Sequence, residues 1–198
     1  MLKIPAVVLP VPHIVYSGNK QAIVRDGKWN LAEQKFRRTG LNVKFKIFII
    51  FVPETATGLR GAAAAVANGF VKALRTYAMT SHTVIGCRES PNFCMPGVAK
   101  ADFEAALAKG ANFVFLLLEK KSAIAYPIFK ELADRTFGIQ SQCSVFKKDK
   151  RPESLFGGSF GDQQWGNLMM KFNLKTGGTN HTNLDIQKIL ADTLVLGA

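Results

Sequence analysis

Asn112-Phe-Val-Phe-Leu-Leu-Leu118 is the most apolar stretch of this 198-residue chain. An unbroken apolar run of this length reads as a strand buried on both faces. Val43 to Val52 reads the same way, with Lys44 and Lys46 as its only interruptions. Outward from these two runs, strands and helices alternate. His82–Gly86 and Phe137–Phe146 read as two further strands. Helices are expected over Gly58–Thr80, which is Ala-rich and weakened slightly by Gly61 and Gly69, and over Val98–Lys109, with Gly110 as its stop. Two more are expected over Tyr126–Asp134, with Pro127 in its first turn, and over Gln163–Leu174, stopped by Gly177-Gly178. Lys147–Gly161 reads as a basic, glycine-containing loop. The pattern predicts an α/β fold: a Rossmann-like parallel sheet of about four strands with helices on both faces. Residues 1–40 differ. Leu9 to Tyr16 is extended and proline-bound, Asp26-Gly27 marks a turn, and the segment reads as a linker lying on something else.

Composition bounds the function. The chain is 47% hydrophobic, enough for one α/β domain with flanking pieces. Its 26 Lys+Arg against 14 Asp+Glu give a formal charge of +12, which points to a polyanionic partner, nucleic acid first. A solvated basic surface or an acidic partner domain is the bland account of the same charge. Cys87, Cys94 and Cys143 are an odd count without framework spacing, which reads as free thiols in a reducing, cytoplasmic compartment. His82, Cys87 and Cys94 lack a paired C-x-x-C and a fourth ligand, so no metal site is expected. Pro5, Pro10 and Pro12 break the apolar N-terminus, which argues against a signal peptide. No stretch approaches the ~20 apolar residues of a membrane span.

Catalytic motifs are weak. Gly157-Gly-Ser159-Phe-Gly161 matches the G-x-S-x-G nucleophile elbow, but a polar loop with a proline precedes it where a strand is required. The only histidine after Ser159 is His181, and Asp162 lies too close to the serine to complete a triad. The first strand-to-helix turn, Pro53–Gly58, is neither a dinucleotide fingerprint nor a phosphate-binding P-loop. No convincing pair of catalytic carboxylates stands in the loops at the strand ends.

The residues that stand out are of another kind. Tyr126 and Lys130 are four apart, and so are Lys171 and Lys175; on helices each pair shares a face. With Gln142 and Cys143 of the fourth strand they bring ammonium groups, a phenol and an amide toward one place. Such a set holds an anion, and the ring can stack on a base, but it abstracts no proton well near neutral pH. Ligands of parallel sheets bind at the carboxyl ends of strands, beside helix N-termini, and the 119–125 loop occupies such a position. Each residue has a plainer reading. Lys171 and Lys175 flank the apolar stripe Trp165, Leu168, Met169 and Phe172, where surface lysines are common. Tyr126 alone would more often be a packing residue. A buried Gln142 needs partners, either in a local network or on a ligand.

In this order, Tyr126-x-x-x-Lys130, Gln142-Cys143, Lys171-x-x-x-Lys175 and Gly177-Gly178 resemble the MID domain of eukaryotic Argonaute proteins, a fungal member best of all. The upstream Gly27–Leu31 and Lys35-Phe36 resemble the linker that runs into that domain. Leu194–Ala198 resembles the first strand of the PIWI domain, and the chain stops where the family's first nuclease aspartate would follow. The resemblance implies three parts: residues 1–40 as linker, 41–178 as MID domain, and 179–198 as the start of PIWI. It implies that Tyr126, Lys130, Gln142, Cys143, Lys171 and Lys175 hold the 5′-phosphorylated nucleotide of a small guide RNA in RNA silencing, with the Tyr126 ring stacked on the first base. The loop Glu119, Lys120, Lys121, Ser122, Ala123, Ile124 and Ala125 would read that base through its backbone. A lysine would stand where some prokaryotic relatives use a divalent ion. The resemblance further implies no cofactor, no metal and no catalysis within this chain, a monomer, and PIWI as neighbour in the whole protein. A Rossmann-like hydrolase or transferase acting on a phosphorylated metabolite is the rival class. A protein-interaction module with a basic face is the third. Binding of nucleoside monophosphates separates them: saturable binding without turnover, turnover, or no binding.

Overall fold

The computed structural model describes residues 10–31, 33–40, 44–54, 62–145 and 159–189. The strands are β1 (Ile14–Val15), β2 (Lys46–Val52), β3 (Thr83–Glu89), β4 (Phe113–Leu118), β5 (Gln140–Val145) and β6 (Thr182–Asn183). The helices are α1 (Ala62–Thr76), α2 (Pro96–Ala108), α3 (Ala125–Glu131), α4 (Ser159–Lys175) and α5 (Leu184–Ile189), with a π-helical turn, Leu132–Thr136, continuing α3. The expected Rossmann-like sheet is present: β3-β2-β4-β5, all parallel. The chain steps from β2 to β3, then reverses direction across β2 to β4 and on to β5. Right-handed crossovers put the first connecting helix on one face and the next two on the other.

Side-chain packing follows that division. Ile47, Ile49 and Phe51 of β2 and Phe113, Phe115 and Leu117 of β4 pack with α1 and α4. Phe48, Ile50, Val114, Leu116 and Leu118 pack with α2 and α3. Every residue of β4 is buried, which is why its sequence shows no alternation. Phe70 of α1 meets Phe115, Trp165 and Phe172 edge-on, joining α1, the sheet and α4.

Several expected boundaries move. β3 runs past Gly86 to Glu89, because Cys87, Arg88 and Glu89 pair with Ile49, Ile50 and Phe51 through the backbone. It is an edge strand with half-buried positions, so polar residues cost it little. Gly86 itself is needed, since a Cβ there would stand 2.6 Å from the Phe48 ring. The last long helix begins at Ser159, so Ser159, Phe160 and Gly161 lie in a helical first turn; the rest of the expected 147–161 loop lies outside the described residues. A further short helix, α5, follows. The expected stops hold: Gly110 and Gly177 take φ of +77° and +81° after α2 and α4. The expected tail strand at 194–198 lies outside the described residues, and so do Gly58 to Gly61.

The segment before the sheet is tied to the segment after it. β1 pairs antiparallel with β6. Arg37 and Arg38 donate their backbone N–H groups to Asn180 and Thr179, each at 2.9 Å. The Asn173 amide on α4 donates to the Arg38 carbonyl at 3.1 Å and to Asn180 Oδ1 at 2.9 Å. Phe36 stacks on Tyr77 with ring centres 4.9 Å apart. Among the described residues no helix is long and apolar enough to cross a membrane.

His82 is buried between the Phe45 and Phe172 rings. Its Nδ1 accepts the Phe45 N–H at 3.4 Å, and its Nε2 is enclosed without a partner. Burial holds its pKa below the usual histidine value of 6.5. The unfolded chain therefore takes up a proton near pH 6.5 that the folded chain refuses. The stability contributed by neutral His82 is complete above pH 6.5 and is lost as pH falls through the depressed folded value. Urea unfolding at pH 7.5 and pH 5.5 should show lower stability at the acid end, and His82→Phe should flatten that difference.

Candidate nucleotide-binding site at the edge of the sheet

The loop after β4 is tied at both ends. The Glu119 N–H bonds the Val52 carbonyl at 2.9 Å. The buried Glu119 carboxylate accepts the Glu54 N–H at 2.6 Å. Lys120 pairs with Glu54 at 3.0 Å. At the far end, Ser122 Oγ accepts the N–H groups of Ile124 and Ala125 at 3.3 and 3.0 Å. These are orphan donors at the start of α3, and Pro127 two residues further has no N–H to satisfy. Lys121, Ala123 and Ile124 are exposed between the two anchors, while Ala125 is buried. Tyr126, the second residue of α3, is half exposed.

α3 and α4 both run back against the strand direction, so their last turns lie beside the amino end of β5. Lys130 is in the last turn of α3 and Lys175 in the last turn of α4. Helix C-termini carry partial negative charge and favour cations there. Successive residues of β5 face opposite ways. Lys130 donates to Ser141 Oγ at 3.1 Å on the α3 side, and Cys143 packs on that side too. On the α4 side the buried Gln142 amide donates to the Leu168 carbonyl at 3.3 Å. Lys175 reaches round the strand edge to the Ser141 carbonyl at 2.7 Å. Two lysines on opposite faces of the sheet thus meet at one residue. Lys171 is exposed one turn before Lys175.

The geometry departs from the carboxyl-end expectation in one respect. The 119–125 loop and Tyr126 are at the carboxyl end of β4, but the lysines gather at Ser141, the second residue of β5. A long side chain at a helix C-terminus reaches an edge strand's amino end; it cannot reach the opposite end. Tyr126 joins the two places, because one turn of helix to Lys130 rises only about 6 Å.

Electrostatically the site is cationic. Burial lowers the Lys175 pKa, nearby Lys130 lowers it further, and Asp134 offsets part of this. Asp134, in the π-helical turn, pairs with Lys130 at 2.8 Å. Gln142 Oε1 is buried and has no partner. The Cys143 thiol is pushed up to about 11 by burial, with Lys130 pulling it back, and Cys87 to about 12, chiefly by burial. At neutral pH neither supplies a thiolate. Among the described residues no group of three or more His, Cys, Asp or Glu could hold a metal ion. What remains are ammonium and amide donors, which suit an oxyanion.

The structure therefore brings Lys130, Lys175, Gln142 and Cys143 together around β5. Tyr126 is placed one turn from Lys130, and Lys171 one turn from Lys175. Ser141 and Asp134 are also part of the site, and the sequence reading had not included them. Lys130 and Asp134 are an i, i+4 pair of opposite charge, a signal that was present in the sequence.

A four-stranded parallel sheet flanked on both faces, with paired lysines at its edge, defines a Rossmann-like α/β domain. No protein-family model matches the chain. It is 28% identical over 217 residues to the Argonaute protein of Schizosaccharomyces pombe, a match that covers all of this chain and 24% of that protein. The chain thus spans about a quarter of the curated relative's length. The structure superposes on the C-terminal lobe of a budding yeast Argonaute with a TM-score of 0.63 at 18% identity, covering 94% of this chain and 40% of that one. Kluyveromyces polysporus Argonaute, solved with a guide RNA, also gives 0.63 at 18% identity, over 94% of this chain and 22% of that one. Drosophila Piwi gives 0.63 at 12% identity, over 89% and 23%. The chain is homologous to the Argonaute proteins, fungal ones included, and has the fold of the matching part of their C-terminal lobe.

Ser122 takes up two helix donors that are otherwise unbonded. Ser122→Ala should cost about 1 kcal/mol in urea unfolding and speed amide exchange at Ile124 and Ala125. Exchange in β2 should not change.

Proposed function

We propose that this chain is an Argonaute MID domain that anchors a small guide RNA by its 5′-phosphorylated nucleotide, without catalysis of its own. Residues 41–178 would be that domain, 1–40 the linker before it and 179–198 the start of PIWI. The observation that carries the reading is the meeting of Lys130 and Lys175 at Ser141. Two ammonium groups with donors to spare hold a terminal phosphate. Lys171, exposed on the same helix face, adds a third. Gln142 offers its amide edge, and Cys143 the backbone of the same strand. Tyr126 stacks on the first base, and the 119–125 loop reads that base's edge. The homology to Argonaute and the fold shared with an Argonaute solved with guide RNA support this assignment. The whole protein would act in RNA silencing in the cytoplasm, with PIWI as the neighbour of this domain and the domain itself monomeric.

Lys171→Ala with Lys175→Ala should weaken binding of 5′-phosphorylated RNA by at least about a hundredfold, because each charge-assisted contact is a strong one. Circular dichroism should be unchanged, since neither lysine belongs to the apolar core. Fluorescence anisotropy with phosphorylated and hydroxyl-ended RNA measures it, and full affinity in a folded double variant would refute the site.

Stacking on Tyr126 tolerates any base, so discrimination must come from the loop. UMP and AMP should bind better than GMP and CMP, with UMP foremost, because a mismatched edge leaves a buried polar group unpaired at about 1–3 kcal/mol. Replacing Lys120–Ala123 by a Gly-Ser loop should level the four affinities while keeping the phosphate-dependent part. Equal affinities in the unaltered protein would place base choice elsewhere. Bound nucleotide should be recovered intact, and turnover would favour an enzyme of the same fold.

A further inference from the structure

The Lys130 ammonium has three N–H donors. One goes to Asp134 Oδ1 at 2.8 Å and one to Ser141 Oγ at 3.1 Å. One is left for a ligand. Asp134 is an odd neighbour for a phosphate site, since its carboxylate repels the ligand. It sits in the π-helical turn that continues α3, on the fourth residue after Lys130. Its side chain is 53% exposed against 30% for Lys130, so it can leave the lysine for water without being stranded. Among the described residues Asp134 is the carboxylate that pairs with Lys130, and it is also the acid that offsets the depressed Lys175 pKa.

We propose that Asp134 is a resident counter-ion: it holds Lys130 in place in the empty site, and an incoming terminal phosphate displaces it. This rests on the 5′-phosphate reading of the site. The carboxylate occupies a donor that the phosphate needs, so it attenuates affinity. In the empty domain it neutralises part of a crowded positive cluster. It also offsets part of the depression of the Lys175 pKa that burial and Lys130 produce. Asp134 thus acts through Lys130 as a positioning residue and sets how tightly the end is held. Loss of its charge therefore has two opposite effects. The phosphate meets no competitor, but the empty domain carries unbalanced lysines.

Asp134→Asn tests this in the full 198-residue chain, because the amide oxygen still accepts from Lys130 while the charge is gone. The probes are one RNA carrying a 5′-monophosphate and the same RNA with a 5′-hydroxyl, with affinity measured across a salt series. Asp134→Asn should tighten phosphorylated RNA about fivefold, the scale of one partly screened unit charge. Hydroxyl-ended RNA should change less than twofold. The salt dependence should steepen for the phosphorylated end, and the melting temperature of the RNA-free protein should fall. Asp134→Glu keeps the charge and should remain near wild type. A merely structural aspartate would instead lose affinity and stability together. Unchanged or weaker phosphate binding by folded Asp134→Asn, in a wild type that prefers the phosphorylated end, overturns the counter-ion alone. A wild type with no preference for the phosphorylated end overturns the 5′-phosphate reading and the counter-ion with it.

Discussion

Ser141 is gripped from both faces of the sheet, by its hydroxyl from α3 and by its carbonyl from α4. That double contact is possible only at an edge strand. A central strand is sealed on both sides, as β4 is by α1 and α4 on one face and α2 and α3 on the other. Among the described residues β5 has a strand neighbour on one side alone, so side chains from the two helix layers can meet at its edge. At that end Gln140 is exposed, while Ser141 and Gln142 are buried. The site's position thus depends on the strand order β3-β2-β4-β5.

The core supplies the rigidity behind that edge. Phe172 lies between Lys171 and Lys175 on the chain and packs against Phe70, His82 and Phe113. Phe129 precedes Lys130 and packs against Phe93 and Phe103. Each lysine therefore leaves a helix whose buried side is locked by aromatic contacts, and only the flexible outer stem is free to adjust. Asn173 adds a second tie, fixing the end of α4 to the segment before the sheet through the Arg38 carbonyl. The ammonium groups stand on a fixed base and are themselves held by Ser141 and Asp134.

The charge of +12 also takes on meaning here. Net charge alone attracts any polyanion and steers it without choosing an orientation. At Ser141 the positive groups are few, and helix C-termini and a single carboxylate hold them. A terminal phosphate carries more charge on fewer atoms than an internal phosphodiester, and under the proposed function this small cationic site would favour chain ends. The long-range attraction and the local grip are separate properties of the same lysine-rich chain.

The sequence by itself determined the layered fold. Apolar runs at 43–52 and 112–118 could only be strands covered on both faces, and helical periods between strands left a parallel sheet as the outcome. It also singled out Tyr126, Lys130, Lys171 and Lys175, because four-residue spacing on a helix puts each pair on a common face, and Gln142, because a buried amide needs partners; Cys143 stood beside it in the family resemblance. Spacing could not say which faces meet. That the lysine of α3 and the lysine of α4 come from opposite sides of the sheet, and close on Ser141 at the amino end of β5, follows from strand order and helix direction, which are tertiary facts. The extension of β3 through Cys87-Arg88-Glu89 was hidden for a related reason: an edge strand is held by its backbone ladder, and the ladder leaves no hydrophobic signature. The Lys130–Asp134 spacing was visible in the sequence as an ordinary helix ion pair, but only packing, which brings Lys175 to Ser141, makes Ser141 and Asp134 site residues.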